Sequence, residues 1–251
     1  MDSPAHIAVI MDGNRRWAKA NGHSEHDGHR AGAKAFQNTI DACIEQGIAY
    51  LSAYVFSTEN WKRPQSQIKF LMTLMEHLLN EHVKTACKND IRVRCLGNLS
   101  ALPKSLQSTI ATAHEKTQQH TTLNLNIMIN YGAHEEITHA CQRIARTVHA
   151  GDLAPEAITP QTIQDHLYTN TMPAPDILIR TGGDTNVRLS NFMLWQCAYS
   201  ELFFLPILWP DFTPEHLANV LDAYKKIGRA HVLNSSHQII SYAVFCLKKK
   251  K

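Results

Sequence analysis

Short runs rich in β-branched and other apolar residues alternate along this chain with longer stretches of helical period, and that alternation limits the possible fold more than any other feature. The runs are His6 to Met11, Tyr50 to Phe56, Ile91 to Gly97, Leu123 to Tyr131, Asp176 to Gly183 and Leu202 to Leu208. Between them Ala31 to Gln46, Gln67 to Asn89, Lys104 to Gln119 and Glu135 to His149 read as helices, with Pro214 to Lys226 as the last native one. Strands separated by helices pair in parallel through crossovers, so the expected fold is α/β, a single domain with a central, mostly parallel sheet surrounded by helices. With 251 residues, 44% of them hydrophobic, the chain is long enough to bury one full core. Gly151 to Pro160 reads as a connection within that domain.

The period is clearest from Gln67 to Asn89, where Ile68, Leu71, Met72, Met75, Leu78, Leu79 and Val83 fall on one face. Such a face either packs into the core or walls an acyl tunnel, and period alone does not choose between them. Ligands of parallel sheets bind beyond the carboxyl ends of the strands, so chemistry is to be sought in the residues after each run.

The end of the chain is read separately. Ile227-Gly-Arg-Ala-His-Val232 is what a sequencing-library adapter encodes when read as ATC GGA AGA GCA CAC GTC, and the match continues to Leu247 before four lysines that fit a poly-A run. One inserted base before Leu233 is needed to keep the frame open. Residues 1–226 are therefore expected to be the native domain and 227–251 translated adapter, which resequencing of the locus would test. The formal charge of +3 depends on that tail, since without Arg229 and Lys248 to Lys251 there remain 20 basic residues against 22 acidic ones. No basic surface is left to argue for nucleic acid. Six cysteines without CxxC spacing read as free thiols in a reducing compartment. No apolar run reaches the roughly 20 residues of a membrane span, and no signal peptide is expected at the start, so the protein is expected in the cytoplasm.

The first strand leads into Met11-Asp-Gly-Asn-Arg-Arg-Trp17. These residue types suit a diphosphate: Gly13 admits backbone N–H groups to phosphate oxygens, Arg15 or Arg16 can grip them, and Asp12 can hold Mg²⁺. Alone, an Asp-Gly after a strand is as readily a turn.

Taken with its neighbours the stretch is more specific, because His6 to Lys19 resembles the opening motif of the undecaprenyl diphosphate synthases, the cis-prenyltransferase family. Four further blocks agree in order: Gly28 to Gly32, Tyr54 to Pro64, Asn130-Tyr-Gly132, and Asp176 to Gly183 continuing through Arg188-Leu-Ser-Asn-Phe192, Glu201 and Trp209 to Phe212. The resemblance covers roughly Pro4 to Lys226. It implies a homodimer with an apolar substrate tunnel, and an Mg²⁺-dependent condensation of isopentenyl diphosphate onto farnesyl diphosphate or a similar allylic primer. The implied product is undecaprenyl diphosphate, a precursor of the cell-wall lipid carrier, with peripheral contact at the inner membrane face for its release.

Carried over position by position, the resemblance makes Asp12 a metal ligand and catalytic residue, with Glu201 the second metal carboxylate. Gly13, Asn14, Arg15, Arg16 and His29 would hold the allylic diphosphate, with Trp17 bordering it. Ser57, Thr58, Glu59, Asn60, Trp61 and Arg63 would lie over the reacting ends. Asn60, the family's candidate for deprotonation, is an amide and a poor base, so it is expected to position substrate or a proton relay. Arg180, Arg188 and Ser190 match the isopentenyl diphosphate clamp. The growing chain would pass Leu71, Met75, Leu78 and Leu79.

Three departures from the family stand out. Glu25 occupies a position where arginine is usual, and its charge should oppose the primer unless it turns away or pairs with a basic neighbour, for which Arg30 is one candidate. Asp184 to Val187 lengthens the segment before Arg188, and the family's arginine-rich C-terminal end is absent after Lys226. A non-catalytic prenyltransferase-like subunit would lack the metal carboxylates, and a nucleotide-binding protein would show GxxxxGK[ST] or GxGxxG after a strand, neither of which is found.

Overall fold

The computed structural model describes residues 4–183 and 187–234, for 228–234 the backbone only. Asp184, Thr185 and Asn186 of the lengthened segment, and 235–251 of the tail read as adapter, lie outside the described residues.

Six strands form one sheet: β1 (His6–Ile10), β2 (Tyr50–Ser57), β3 (Ile91–Leu96), β4 (Leu123–Tyr131), β5 (Ile177–Arg180) and β6 (Glu201–Phe204), in the order β3-β4-β2-β1-β5-β6. Every pairing is parallel. Helices α1 (Asn14–Ala20), α2 (Glu25–Glu45), α3 (Gln65–Lys88), α4 (Lys104–Thr117), α5 (Ala133–His149), α6 (Pro160–His166) and α7 (Pro214–Asn234) supply the connections. The sheet is covered on both faces, which is why β1 is buried at every residue and reads as a continuous apolar run. Its Ile7 and Val9 pack with Ile40 and Cys43 of α2 and Leu217 and Leu221 of α7, while Ala8 and Ile10 pack with Met128, Tyr131 and Phe192.

Ile10 is in register with Tyr54 on one side and Arg180 on the other, and Arg180 with Phe204. The carboxyl ends of β1, β2 and β5 therefore open at one edge, and the segments following them become neighbours. After Phe204 the chain does not continue as the strand expected to Leu208. It crosses those ends instead, bonding Leu205 N to Arg180 O (2.8 Å), Gly182 N to Ile207 O (2.7 Å) and Trp209 N to Asp12 O (3.0 Å).

Three helical stretches differ from the sequence reading, and one of them, α6, is a seven-residue helix at a place where no helix is expected. α2 begins at Glu25, six residues before Ala31, because Ser24 caps it: Ser24 Oγ accepts from Asp27 N (3.2 Å) and Asp27 Oδ2 accepts from Ser24 N (3.3 Å). The Asn14–Ala20 stretch, which lies outside the helices expected from sequence, is a helix. Seven residues make a marginal helix by themselves, and α1 is held by lying hard against α2 at Gly28 and Gly32. A Cβ at Gly28 would come 2.3 Å from Asn14 O, and one at Gly32 would come 2.2 Å from Asn14 Oδ1. At the other end, α7 runs past Lys226 into the segment read as adapter sequence.

Candidate active site

A cavity of about 1250 Å³ lies between the sheet and helices α2 and α3. Its rim carries Asp12, Arg15, Arg16, Arg63, Arg180 and Arg188; its depth is lined by apolar residues such as Val93, Ala113, Leu125 and Ile127. The stripe on α3 divides between the two roles open to it. Leu78 and Val83 line the cavity, Leu71, Met75 and Leu79 line it and also pack in the cluster with Leu106 and Ile110 of α4, and Ile68 and Met72 pack in that cluster alone.

The centre of the rim is Asp12. Its Oδ1 accepts from Arg16 Nη2 (3.0 Å) and its Oδ2 from Arg180 Nη2 (2.9 Å). Its carbonyl accepts from Thr181 Oγ1 (2.8 Å) and from Trp209 N, so the backbone that presents the carboxylate is fixed from two segments. Arg180 is only 4% exposed; its Nη1 donates to Ser190 Oγ and to Arg188 O (both 2.6 Å), and its Nε has no partner. A buried guanidinium needs counter-charge and acceptors, and here a single carboxylate, a hydroxyl and a carbonyl supply them. Arg16 is also tied to the Gly182 carbonyl. Two arginines converging on one carboxylate have donor directions that an incoming diphosphate could share.

Beside this centre Arg15 Nη2 donates to Glu25 Oε1 (2.7 Å), and Glu25 Oε2 accepts from Gln67 Nε2 (2.6 Å). Arg30, one candidate partner for Glu25, pairs with Asp27 instead (3.2 Å), because successive turns of α2 place 27 and 30 on one side. His29 is held at a pKa of about 4, first by burial and then by the nearby Arg63 and Arg15, with Glu25 opposing; its Nε2 has no partner. Burial, and then Arg15, also lower the pKa of Arg63. Neutral imidazole and crowded guanidinium groups are the state expected of an anion site before its anion arrives.

Asn14 and Gly13 line the cavity, but each has a packing duty as well. Gly13 has φ of +125° and its missing Cβ faces Leu208 at 2.9 Å, which requires glycine whatever it binds. Asn14 lies on Gly32 and its buried Oδ1 has no partner. Trp17 does not line the cavity: its indole Nε1 donates to Asp211 Oδ1 (2.7 Å) and its ring stacks on His23.

After β2 the chain makes a tight turn, Thr58–Lys62, in which Asn60 Oδ1 accepts from Ser57 N (3.1 Å). Ser57, Glu59, Asn60 and Arg63 line the cavity. Thr58 instead lines a smaller pocket with Asn98, Asn130 and His134. Trp61 lines neither; it is 38% exposed, lies edge-on to buried Phe56, and donates from Nε1 to Asn130 Oδ1 (2.7 Å). Sequence reasoning assigns no role to Asn130, Gln67, Thr181 or Asn191, although all but Gln67 lie in recognised blocks, and Asn130 and Asn191 adopt positive φ.

Glu201 is not brought to Asp12 within this chain. It opens β6 in register with Ile177, whereas Asp12 follows Ile10, in register with Arg180, so the two are separated by at least about 10 Å along the strands. Among the described residues no group of three or more His, Cys, Asp or Glu is placed to hold a metal ion, and no helix is long and apolar enough to cross a membrane.

Comparison with known proteins bears on this site. The prenyltransferase family model described as undecaprenyl diphosphate synthase matches residues 10–231. An isoprenyl transferase of Shouchella clausii is 44% identical over 228 residues, 91% of this chain and 88% of the relative. A ditrans,polycis-undecaprenyl-diphosphate synthase of Vibrio vulnificus, described as specific for (2E,6E)-farnesyl diphosphate, is 43% identical over 218 residues, 87% of this chain and 86% of the relative. Among solved structures, lavandulyl diphosphate synthase from Lavandula x intermedia in complex with dimethylallyl diphosphate superposes with a TM-score of 0.85 at 35% identity, covering 89% of this chain and 95% of that one. A probable undecaprenyl diphosphate synthase from Campylobacter jejuni gives a TM-score of 0.74 at 32% identity, covering 90% and 96%. With its wholly parallel sheet and a match along nearly all its described length, the chain belongs to the undecaprenyl diphosphate synthase family of prenyltransferases.

Proposed function

We propose that the protein condenses isopentenyl diphosphate onto farnesyl diphosphate or a similar allylic primer, repeatedly and with cis geometry, to make undecaprenyl diphosphate. One observation carries this reading: a single cavity joins a rim of guanidinium groups around Asp12 to an apolar interior of about 1250 Å³. A diphosphate head and a long hydrocarbon tail need these two environments side by side. In this reading the allylic diphosphate lies against Arg15, Arg16, His29 and the Gly13–Asn14 backbone, and isopentenyl diphosphate against Arg180, Arg188 and Ser190.

As the allylic C–O bond breaks, charge grows on the leaving diphosphate, and guanidinium groups already fixed in place stabilise it without reorganisation. His29, neutral with its pKa near 4, can donate one N–H to a phosphate oxygen. Its proton affinity rises once the anion is bound. Asn60, held in the turn by its bond to Ser57 N, positions isopentenyl diphosphate, whose C4 bonds to the allylic C1 as the C–O bond breaks and whose C2 gives up a proton to the departing diphosphate.

The donors at the rim fit magnesium in its usual mode, one or two carboxylates with the remaining ligands from substrate phosphates and water. Asp12 would hold the ion, and a bound Mg²⁺ would supply Lewis-acid neutralisation of the leaving group. Glu201 would need another route to that ion. It lies at the sheet edge beside exposed Leu202 and near Tyr199, which is 99% exposed, and a homodimer covering this edge belongs to the same proposal.

The test is labelled isopentenyl diphosphate with farnesyl diphosphate and Mg²⁺, followed by extraction and chromatography of the products. A ladder ending near eleven isoprene units is expected, and Asp12→Asn should abolish it. Incorporation by Asp12→Asn at the wild-type rate would remove Asp12 from the reaction. A non-catalytic subunit would give no ladder with the wild-type chain.

A further inference from the structure

Between Ser190 of the rim and the turn after β2 stands Asn191, whose backbone adopts φ of 63°. Its carbonyl accepts from Ala133 N (2.8 Å) and its Oδ1 from His134 N (2.9 Å), so it satisfies the first two N–H groups of α5. Its Nδ2 donates to Glu59 Oε1 (2.9 Å) and to Glu135 Oε2 (3.3 Å). One side chain thus joins the segment bearing Arg188 and Ser190, the turn bearing Glu59 and Asn60, and the start of α5.

We propose that Asn191 is a positioning residue that fixes the Arg180–Ser190 clamp and the Ser57–Arg63 turn at one separation across the cavity mouth. The proposal rests on the reading of that clamp as the isopentenyl diphosphate site. Three features support it. Ser190 also has positive φ, 49°, a conformation that serine adopts at a cost and keeps only where its surroundings enforce it; the four bonds of the next residue do so. A primary amide accepts at one end and donates twice at the other, which the N–H groups of α5 and the two carboxylates require together. Space for the junction is reserved as well: a Cβ at Gly132 would lie 2.7 Å from Asn191 Nδ2, 2.7 Å from Thr58 Oγ1 and 2.1 Å from Glu135 Oε2.

In Asn191→Asp a third carboxylate faces Glu59 and Glu135, and the turn is pushed from the clamp. The charge is offset by Glu59→Gln, which exchanges donor and acceptor across the same contact. With the full chain and both substrates, Asn191→Asp should raise the isopentenyl diphosphate KM about tenfold, the scale of one lost hydrogen bond to a charged group. The farnesyl diphosphate KM should stay within about twofold, since Asn191 touches none of Arg15, Arg16 or His29. Asn191→Asp/Glu59→Gln should recover more activity than the two single effects multiplied together.

The proposal is overturned by an unchanged isopentenyl diphosphate KM, by equal rises in both KM values accompanied by a lower melting temperature, or by strictly multiplicative effects in the double variant. If Asn191→Asp does not fold, Asn191→Gly keeps the positive φ without the side chain and must show the same selective rise; a wild-type KM there equally overturns it. If the wild-type chain incorporates no isopentenyl diphosphate, the reaction itself is misassigned. Positioning is then judged by calorimetry with inorganic diphosphate, whose binding Asn191→Asp weakens if the junction sets the clamp and leaves unchanged if it does not.

Discussion

Arg15 at the cavity rim is engaged within the protein, its guanidinium held by Glu25, which Gln67 holds in turn. Both side chains of that ion pair are about half exposed, 55% and 47%, so the pair adds little to stability. Under the proposed function its effect falls on binding, since a diphosphate would have to take Arg15 from a carboxylate. Glu25→Gln should therefore lower the farnesyl diphosphate KM several-fold at low ionic strength, and Glu25→Arg should lower it further. Both gains should fade toward about 1 M salt, where the screening length is about 3 Å. A KM equal to that of the wild type at both low and high salt for both variants would mean that Arg15 does not leave Glu25 for the substrate. The carboxylate was legible in the sequence, but its partner was not, because Arg15 lies on a different helix and Arg30 is the nearer base along the chain.

At the scale of elements, the site depends on α1 lying within contact of α2, since Arg15 and Arg16 ride on α1. Only glycine at position 28 permits that approach: the Cβ of alanine would sit 2.3 Å from the backbone oxygen of Asn14. Gly28→Ala should cost roughly 1–3 kcal/mol, the range for overpacking, and should raise the farnesyl diphosphate KM as α1 is displaced. Thermal melting and steady-state kinetics of the one variant check both effects. Wild-type melting would mean that α2 bends to admit the methyl group. Period and caps mark long helices well, and α3 and α5 lie close to their expected bounds. They say little about a seven-residue helix whose support is tertiary, so nothing in the sequence marks the basic residues after Gly13 as helical.

For the molecule as a whole, His6 sets a limit on the pH range of the fold. It is wholly buried at the amino end of β1, its Nδ1 bonded to Pro173 O (2.8 Å) and its Nε2 to Ser52 Oγ (2.7 Å). Burial lowers its pKa to about 4, against raising effects from the Pro173 bond and the Asp176 charge. The unfolded chain takes up this proton near pH 6.5 and the folded chain only near 4. Stability from His6 is therefore complete above about pH 6.5 and falls as the pH drops toward 4, by about 1.4 kcal/mol per pH unit for each such proton. His29, also near 4, adds a second. Urea midpoints between about pH 7 and 4.5 should show a slope shallower by one proton in His6→Gln than in the wild type. Parallel slopes would show that His6 does not titrate on unfolding.

What the sequence determined by itself is the set of strands and long helices, the placement of Asp12 and Arg180 at strand ends, and the apolar stripe of α3. All of these follow from local periods and from which residue types follow an apolar run. Tertiary structure decided that β1 lies between β2 and β5, which is what makes Asp12 and Arg180 partners across 168 positions of sequence. It also sent Glu201 to the opposite end of the sheet, divided the α3 stripe between cavity and core, and turned Trp17 and Trp61 away from the cavity toward Asp211 and Asn130. The physical reason is common to these cases: a period determines which way a side chain faces relative to its own element, whereas the partner it meets depends on which elements pack alongside and in what register.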